Sequence, residues 1–495
     1  MSLKILFATS EYAPYAKTGG LADVGAALPR AMDALGHGHD VRIVMPFYGC
    51  VPRDGVDHLL EFPVPIGGGR ENAVIRWKSL GGGLPLLFVQ NGRFFDRPGI
   101  YGEGGHEYGD SPLRFGFFAR AVVEYCWRTG WFPDVIHVND WQTGLVPVFL
   151  RTLEWIEPKF SRVATVCTIH NLAYQGNFDR WVLGQLTLPQ DLFDSRYLEF
   201  HGAVSYLKAS IVFADKITTV SPRYAQEIQS GQYGCQLDGV LRERAPDLVG
   251  ILNGIDTEVW NPATDPHCWG FHYSERDFSA KARIKQRLLA DFGMPFDPAT
   301  PLLGVISRLA AQKGFDLIEQ AVHQLAQRGV QMIFLGTGDP AFENMLRWLS
   351  NLYPGRVNCY IGFSDVLAHR IEAGADMFLM PSLYEPCGLN QMISLRYGTV
   401  PIVRRTGGLA DSVIDTSEGS AGTGFVFDHY DANAILWAVG RAVDTYHDRP
   451  RWKRLVQRCM KQDFSWQRSA LHYETMYEWA TAERAEGRRG RFSRG

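Results

Sequence analysis

The chain has 495 residues, of which 46% are hydrophobic and 21% are charged, and its formal net charge is −3. This composition is typical of a globular protein of two or three domains, and it gives no electrostatic reason to expect nucleic acid or a membrane as partner. Its eight cysteines show no paired spacing, and no signal-like or membrane-length apolar segment stands out, so we predict a cytoplasmic protein.

Short apolar runs alternate with helix-length segments, which is typical of doubly wound α/β proteins with parallel sheets. We predict strands at 4–10, 41–46, 85–90, 134–139, 165–170, 216–220, 302–307, 331–336, 376–381 and 400–404. We predict helices at 21–35, 113–128, 314–328 and 433–446. Prolines interrupt the alternation between about 255 and 300, which predicts the end of one Rossmann-like unit and the start of another. Ligands bind beyond the carboxyl ends of strands in such sheets, so functional residues should follow the strands.

Two segments repeat almost the same sequence, K-T-G-G-L-A-D at 17–23 and R-T-G-G-L-A-D at 405–411. Each has a cation, two glycines and a stretch that can begin a helix. Glycine pairs let backbone N–H groups approach an anion, and a helix N-terminus adds its positive dipole end. A glycine pair is usually an ordinary turn. One such loop in each half nevertheless predicts a phosphate-bearing ligand held between two domains.

In the second half, charged residues directly follow predicted strands. Arg308 and Lys313 lie in S-R-L-A-A-Q-K-G, where two cations could neutralise a diphosphate. Glu385 lies in P-S-L-Y-E-P-C-G-L-N, where a carboxylate could accept hydrogen bonds from sugar hydroxyls while the N–H groups after it face a phosphate. The G-T-G-D segment at 336–339 lacks the third glycine of a dinucleotide fingerprint and is a weak signal alone.

In the first half, Asp140 in N-D-W and His170 in I-H-N-L-A-Y-Q-G follow buried strands. An Asp-Trp pair offers an acceptor and a stacking face for a sugar. A lone histidine is more often structural, but its position at a strand end makes His170 a candidate. The sequence contains neither Asp-x-Asp nor zinc-ligand spacing, so we predict no metal at the site. The cations Lys17, Arg308 and Lys313 would take the place of a metal on the diphosphate.

Together these motifs resemble those of the bacterial glycogen synthases, a family that includes plant starch synthases. The resemblance runs in order from Ser10 to about Phe427 and includes N-G-I-D at 253–256. It implies a GT-B fold of two Rossmann-like doubly wound parallel-sheet domains facing a deep cleft. The domains would be 1–252, on the acceptor side, and 260–465, which binds the nucleotide sugar, with a C-terminal helix at 466–485 crossing back onto the first.

The resemblance also implies the reaction. Glucose would pass from ADP-glucose to the 4-hydroxyl at the non-reducing end of an α-1,4-glucan, such as glycogen or a malto-oligosaccharide, with retention and without a cofactor. ADP-glucose rather than UDP-glucose follows only from the resemblance. Whether a covalent intermediate forms stays open, although Glu385 suits holding hydroxyls better than nucleophilic attack.

Carried over position by position, the resemblance and the glycine loops assign two sets of residues. The catalytic set is Lys17, Asp140, His170, Arg308, Lys313 and Glu385. The donor-binding set is Gly19, Gly20, Asn253, Gly336, Phe363, Cys387, Gly388, Leu389, Asn390, Gly407 and Gly408. Two positions depart from the family pattern, because Phe363 stands where a tyrosine often flanks the adenine and Asn390 where threonine is common.

Two alternatives stay open. Another GT-B glycosyltransferase, of the sucrose or trehalose-phosphate type, would normally have E-x-F-G-x-x-x-x-E in place of E-P-C-G-L and would lack K-T-G-G-L-A-D. A non-enzymatic glucan-binding protein could keep the fold, although every charged residue carried over is present. A phosphorylase would need a lysine that carries pyridoxal phosphate, and no sequence feature points to one.

Overall fold

The computed structural model describes residues 2–154 and 156–487. Its packing divides the chain into two compact units. Unit 1 contains the chain up to Val220, Ala225–Ile251 and the segment that begins at Trp466. Unit 2 contains Ser221–Tyr224 and Leu252–Ser465. No helix within the described residues combines the length and the apolar character needed to cross a bilayer.

All ten strands predicted from the sequence are present, together with further short strands. The strands are β1 (Lys4–Ala8), β2 (Asp40–Pro46), β3 (Asp57–Ile66), β4 (Gly69–Ser79), β5 (Pro85–Gln90), β6 (Gly102–Glu103), β7 (His106–Glu107), β8 (Val135–Asn139), β9 (Ala164–Ile169), β10 (Asn177–Phe178), β11 (Glu199–Phe200), β12 (Ala203–Ser205), β13 (Lys216–Thr219), β14 (Leu248–Gly250), β15 (Leu302–Ile306), β16 (Gln331–Gly336), β17 (Val357–Ile361), β18 (Met377–Met380), β19 (Val400–Arg404) and β20 (Phe425–Phe427).

The four predicted helices are also present, as α1, α3, α10 and α15 of the following set. The helices are α1 (Gly20–Ala34), α2 (Gly92–Phe95), α3 (Ser111–Thr129), α4 (Val146–Leu153), α5 (Val182–Gln185), α6 (Tyr206–Phe213), α7 (Pro222–Glu227), α8 (Asp238–Glu243), α9 (Ala280–Asp291), α10 (Phe315–Gln327), α11 (Pro340–Leu352), α12 (Asp365–Gly374), α13 (Asn390–Tyr397), α14 (Gly407–Ser412), α15 (Ala432–His447), α16 (Arg449–Met460) and α17 (Trp466–Ala485).

The main sheet of unit 1 has the strand order β14-β13-β9-β8-β1-β2-β5-β4-β3. The pairs from β14 to β5 are parallel, whereas β4 runs antiparallel to both β5 and β3. The β3–β4 hairpin was not predicted, because the prolines Pro63 and Pro65 in β3 argue against a strand. The structure accommodates them because β3 lies at the edge of the sheet, where strands tolerate proline. The order reverses between β1 and β8, so ligand-binding residues are expected after these two strands.

The sheet of unit 2 has the order β17-β16-β15-β18-β19-β20, and every neighbouring pair is parallel. Numbered from β15, this is the doubly wound order 3-2-1-4-5-6 of a Rossmann sheet. The switch point lies between β15 and β18. The loops after these strands are those that carry Arg308, Lys313 and Glu385.

The C-terminal helix α17 packs within unit 1. Its Glu474 carboxylate lies 2.6 Å from His37 Nδ1 and 3.0 Å from His39 Nε2. Its Tyr477 hydroxyl lies 2.7 Å from Nδ1 of the buried His137, on β8. Helix α17 therefore stabilises the sheet that carries the first-half candidate residues.

Candidate functional site

The first glycine loop lies between β1 and α1, and a buried carboxylate binds its backbone. The N–H groups of Thr18 and Gly19 donate to Glu11 Oε2 at 2.6 and 3.2 Å, and the Thr18 hydroxyl donates to Oε1 at 2.6 Å. The Tyr101 hydroxyl also donates to Glu11, at 2.7 Å. An internal carboxylate thus takes the Gly19 amide that the sequence assigned to a ligand phosphate. Sequence reasoning missed Glu11, although a carboxylate directly after a predicted strand was a visible signal.

The cation of the first loop is accessible. Lys17 Nζ lies 2.7 Å from Asp23 Oδ1, and the lysine side chain is 46% exposed. Gly19 precedes α1 in an extended conformation, and a Cβ there would meet nothing within 4 Å. Gly20 is the first residue of α1. Packing does not require glycine at position 19.

Asp140 and His170 lie together at the ends of β8 and β9. The backbone of Asp140 has φ 54° and ψ −173°, a region that costs a non-glycine residue about 1–3 kcal/mol and that clusters at functional sites. Its Oδ1 accepts the His170 N–H at 2.8 Å. His170 Nε2 lies 2.8 Å from Asn139 Oδ1, and the Asn139 amide nitrogen donates to Ala8 O. This pattern assigns the proton of His170 to Nε2, so Nδ1 is the unprotonated nitrogen of the ring.

Burial controls the charge of this pair. Desolvation raises the pKa of Asp140 to about 7, against the N–H groups of His170 and Asn171 that favour its charged form. Desolvation also lowers the pKa of His170 to about 3. The imidazole is therefore neutral near pH 7 and acts through hydrogen bonds, whereas Asp140 fixes the backbone that begins at His170.

In unit 2, two catalytic candidates form an ion pair at the switch point. Lys313 Nζ lies 2.6 Å from Glu385 Oε2, and the two side chains are 22% and 7% exposed. The Ser382 hydroxyl donates to the same carboxylate oxygen at 3.0 Å. Arg308 is exposed, and its guanidinium donates to Gln312 Oε1 at 3.3 Å. Arg308 and Lys313 therefore lie in the segment after β15 and Glu385 in the segment after β18, on the two sides of the switch point.

Gln312 joins the loop after β15 to the loop after β18. Its side-chain amide donates to the Tyr384 carbonyl at 2.7 Å, and its own carbonyl accepts the Leu383 N–H at 2.9 Å. Gln312 is adjacent to Lys313 in sequence, and its two contacts lie within two residues of Glu385. The two charged side chains are thus held by backbone that is already fixed, which is the preorganisation that electrostatic catalysis requires.

The second glycine loop packs tightly behind Glu385. A Cβ on Gly407 would lie 1.9 Å from the Glu385 carbonyl oxygen, and one on Gly408 would lie 2.0 Å from the Cys387 carbonyl oxygen. Gly407 also has a positive φ of 42°. The Gly408 N–H donates to the Glu385 carbonyl at 3.1 Å. These glycines are required by close backbone contact, and they support the E-P-C-G-L loop from behind.

Asn253 and Cys387 are brought together in unit 2. The Cys387 thiol is buried, and burial raises its pKa to about 12 although the Asn253 N–H favours the thiolate. Asn253 is 6% exposed. Its Oδ1 is buried and finds no hydrogen-bond partner among the described residues. Buried amide oxygens are rarely unpaired, so this oxygen is a candidate ligand contact.

The remaining donor-site candidates have different surroundings. Gly388 has φ 70°, and Leu389 directly precedes α13. The Asn390 side chain donates to the Ile306 carbonyl at 2.7 Å, which explains how asparagine is accommodated at this position. Gly336 faces the Ser307 carbonyl oxygen, 1.9 Å from where a Cβ would lie.

Phe363 lies apart from these groups, after the edge strand β17. Its side chain is 83% exposed, so its ring is open to contact with a ligand. Of the described residues, two groups of three metal-ligand side chains lie within metal-binding reach of one another, and neither contains a predicted site residue.

Comparison with known proteins identifies close relatives across the chain. The starch synthase catalytic domain family matches residues 4–243, and the glycosyl transferases group 1 family matches residues 291–457. The chain is 45% identical to glycogen synthase 2 of Geobacter sulfurreducens, over 99% of this chain and 100% of the relative. It is 48% identical to a glycogen synthase of Anaeromyxobacter sp. (strain Fw109-5), over 96% of this chain and 99% of the relative.

Solved structures agree with the sequence relatives. The catalytic domain of starch synthase IV from Arabidopsis thaliana superposes with a TM-score of 0.88 at 34% identity, covering 97% of this chain and 100% of that one. A sucrose-phosphate synthase from Thermosynechococcus elongatus superposes with a TM-score of 0.61 at 19% identity over 97% of this chain and 99% of that one, which indicates a shared fold only. The predicted GT-B fold, built from Rossmann-like parallel sheets, is confirmed.

Proposed function

The chain belongs to the glycogen and starch synthase family, and from this premise we propose how its residues transfer glucose from ADP-glucose to the 4-hydroxyl of an α-1,4-glucan with retention. It is a glycogen synthase, a hexosyltransferase. The observation that carries the proposed site is that Lys313 and Glu385 form an ion pair at the switch point of the unit 2 sheet, with Arg308 on the same loop as Lys313. The related starch synthase IV structure is bound to ADP and acarbose, which supports ADP as the donor nucleotide.

Arg308 and Lys313 are assigned to the departing diphosphate. Negative charge grows on the leaving oxygen as the glycosidic bond lengthens, so cations held at that oxygen stabilise the transition state more than the bound donor. Lys313 is oriented by Glu385 at 2.6 Å, whereas Arg308 is exposed and offers its planar fork to phosphate oxygens. These cations supply the positive charge, and we expect no requirement for a divalent metal.

Glu385 is assigned to the donor sugar. One of its oxygens already receives Lys313 and the Ser382 hydroxyl, which leaves the other to accept from a glucose hydroxyl. A carboxylate so engaged is a weak nucleophile, so its role is to orient the sugar. The backbone N–H groups after it, beginning at Gly388, are assigned to the phosphates, and the oxygen of Asn253 to the sugar.

Lys17, Asp140 and His170 of unit 1 are assigned to the phosphates and to the reacting carbon. Lys17 is an accessible point charge suited to the donor phosphates. Asp140 accepts the N–H groups of His170, at 2.8 Å, and of Asn171, and so orients the peptide that contains the His170 carbonyl, which is assigned to support positive charge on the sugar ring. We also propose a cytoplasmic location, which the eight free cysteines favour, because reduced thiols are typical of that compartment.

A transfer assay tests the proposed function. Purified protein is given labelled ADP-glucose or UDP-glucose with glycogen, with and without a chelator, and both label in polymer and free nucleoside diphosphate are measured. We expect ADP-glucose to be the better donor, equal amounts of ADP and incorporated glucose, and no effect of the chelator. No incorporation from either donor would contradict the proposed function. Loss of incorporation with the chelator that is restored by Mg²⁺ but not by Zn²⁺ would contradict the metal-free donor site.

A further inference from the structure

We propose that unit 2 contains a zinc site formed by His267, Asp365 and His369. The three side chains offer ligand atoms that all lie within 4.8 Å of one another. Asp365 and His369 are four residues apart on α12 and therefore share one face of the helix. His267 comes from the segment that precedes α9. Sequence spacing could not reveal this set, because about one hundred residues separate its two parts.

His369 is oriented as a metal-binding histidine requires. Its Nδ1 lies 2.9 Å from Oδ2 of the buried Asp265, which places the proton on Nδ1 and leaves Nε2 as a lone pair. The indole of Trp260 stacks on the imidazole at 3.8 Å between ring centroids, at an angle of 8°. Zinc-binding histidines usually donate their second nitrogen to a carboxylate in this way, which fixes the tautomer and the ring plane.

Asp265 fixes the second histidine as well. Its Oδ1 accepts the backbone N–H of His267 at 2.8 Å, and its Oδ2 accepts the Tyr397 hydroxyl at 2.6 Å. The His267 and His369 rings consequently approach to 4.8 Å between centroids. One buried carboxylate thus orients the His369 imidazole and fixes the backbone of His267, and both of its oxygens are used in doing so.

The three ligand atoms have no competing partner within residues 2–154 and 156–487. Neither the ring nitrogens of His267, nor His369 Nε2, nor the Asp365 carboxylate forms a hydrogen bond or ion pair with the described residues. Donors around a tetrahedral zinc ion lie roughly 3.3 Å apart. The ligand atoms here are at most 4.8 Å apart, so they would have to move closer by at most about 1.5 Å. Asp365 is exposed and His267 is half-buried, so their side chains can make this movement while His369 stays fixed.

The second group of possible ligands, His37, His39 and Glu474, differs in this respect. Both of its histidines already contact the same Glu474 oxygen, at 2.6 and 3.0 Å. A metal there would have to replace two existing bonds. The His267 group instead presents two imidazoles and a carboxylate, a donor set suited to Zn²⁺, with the fourth position open to water.

Zinc titration tests the proposal with a readout independent of glucosyl transfer. Protein freed of metal is titrated with Zn²⁺ in competition with a chromogenic chelator, and Co²⁺ is added separately to report coordination by visible absorption. We expect one zinc equivalent. His267→Gln and Asp365→Asn should each weaken its binding by at least about 10-fold and reduce the Co²⁺ absorption.

Two histidine variants serve as controls. His447→Gln changes an exposed histidine at the end of α15, and His37→Gln changes the second group. Neither variant should alter the number of zinc ions bound per chain or the affinity for zinc. The proposal would be overturned if the unaltered protein bound no zinc. It would also be overturned if both His267→Gln and Asp365→Asn bound zinc at full strength, or if binding were lost only in His37→Gln. Because no step measures glucosyl transfer, the proposed function can fail or hold independently.

Discussion

The two glycine loops have nearly the same sequence but are held in place by different interactions. In the first loop, Gly19 has an extended backbone and open space around it, and the loop is held by hydrogen bonds to Glu11. In the second loop, Gly407 and Gly408 lie so close to backbone carbonyls that any side chain would collide. The first loop is held by hydrogen bonds to the Glu11 carboxylate, and the second is held by close packing against the backbone carbonyls of Glu385 and Cys387.

This difference separates two uses of one motif. The second loop supports Glu385 and Cys387 from behind, so its glycines serve the shape of the donor loop. The first loop leaves its cation Lys17 accessible and places it next to the start of α1. A repeated sequence therefore does not imply a repeated role, and the cations of the two loops should differ in their effect on the reaction.

The largest effect is expected for the first-loop cation, Lys17, and Arg405 of the second loop is its matched control. Lys17 and Arg405 each lie 2.7 Å from an aspartate and are 46% and 42% exposed. Lys17→Ala should lower kcat by about 10²–10³-fold, because it removes a charge that acts on the donor phosphates. Arg405→Ala should keep kcat within about 2-fold. Equal losses of kcat in the two variants would show that the loops are functionally equivalent.

The next effect concerns stability and compares the glycines directly. Gly408→Ala should lower the free energy of unfolding of unit 2 by about 3 kcal/mol, since its Cβ would lie 2.0 Å from a carbonyl oxygen. Gly19→Ala should change stability by less than about 0.5 kcal/mol. Urea unfolding, followed by far-UV circular dichroism, measures both. A Gly408→Ala protein as stable as the unaltered one would refute the contact argument.

Replacing Glu11 should have a smaller effect than either of these changes, but it should alter both stability and kcat. Glu11→Ala leaves the N–H groups of Thr18 and Gly19 without their acceptor, which should cost about 2 kcal/mol in unfolding. The loosened loop should also lower kcat by about 10-fold. Glu71→Ala, which removes a surface ion pair with Arg93, serves as control and should cost less than about 1 kcal/mol. Full activity in Glu11→Ala would contradict a positioning role.

The smallest effect extends the comparison to pH, because the sheet of unit 1 holds buried neutral imidazoles, whereas the strand ends of unit 2 hold an ion pair. Burial lowers the pKa of His137 to about 3, well below its ordinary value. Between pH 6 and 5 the unfolded chain binds a proton that the folded chain does not, so stability falls by about 1 kcal/mol on acidification. His137→Gln should lose that part of the pH dependence of unfolding. His447→Gln should retain it, and an unchanged pH dependence in His137→Gln would contradict the assignment.

The sequence predicted the parallel strands because they are continuous apolar runs that end at polar residues. It also predicted that Arg308, Lys313 and Glu385 follow such strands, and the doubly wound order then placed them at one switch point. The sequence did not predict the β3–β4 hairpin, because its strands contain fewer apolar residues than the parallel strands and because β3, at the sheet edge, tolerates proline.

Contacts between distant residues could not be predicted from local patterns. Glu11 lies beside a recognised motif, yet its hydrogen bonds to Thr18 and Tyr101 depend on the folded path of the loop. The unpaired oxygen of Asn253 and the close approach of Gly407 to Glu385 are likewise products of tertiary packing. The roles of the individual site residues remain predictions for the measurements proposed here.

Lys313→Ala tests the central claim most directly, because this residue joins the proposed leaving-group cation to the sugar-binding carboxylate at 2.6 Å. We predict that kcat with ADP-glucose falls by about 10²–10³-fold while the protein stays folded. Arg287→Ala, which removes an exposed cation paired within α9, should leave kcat unaltered. A folded Lys313→Ala protein with kcat within about 2-fold of the unaltered enzyme would contradict the account.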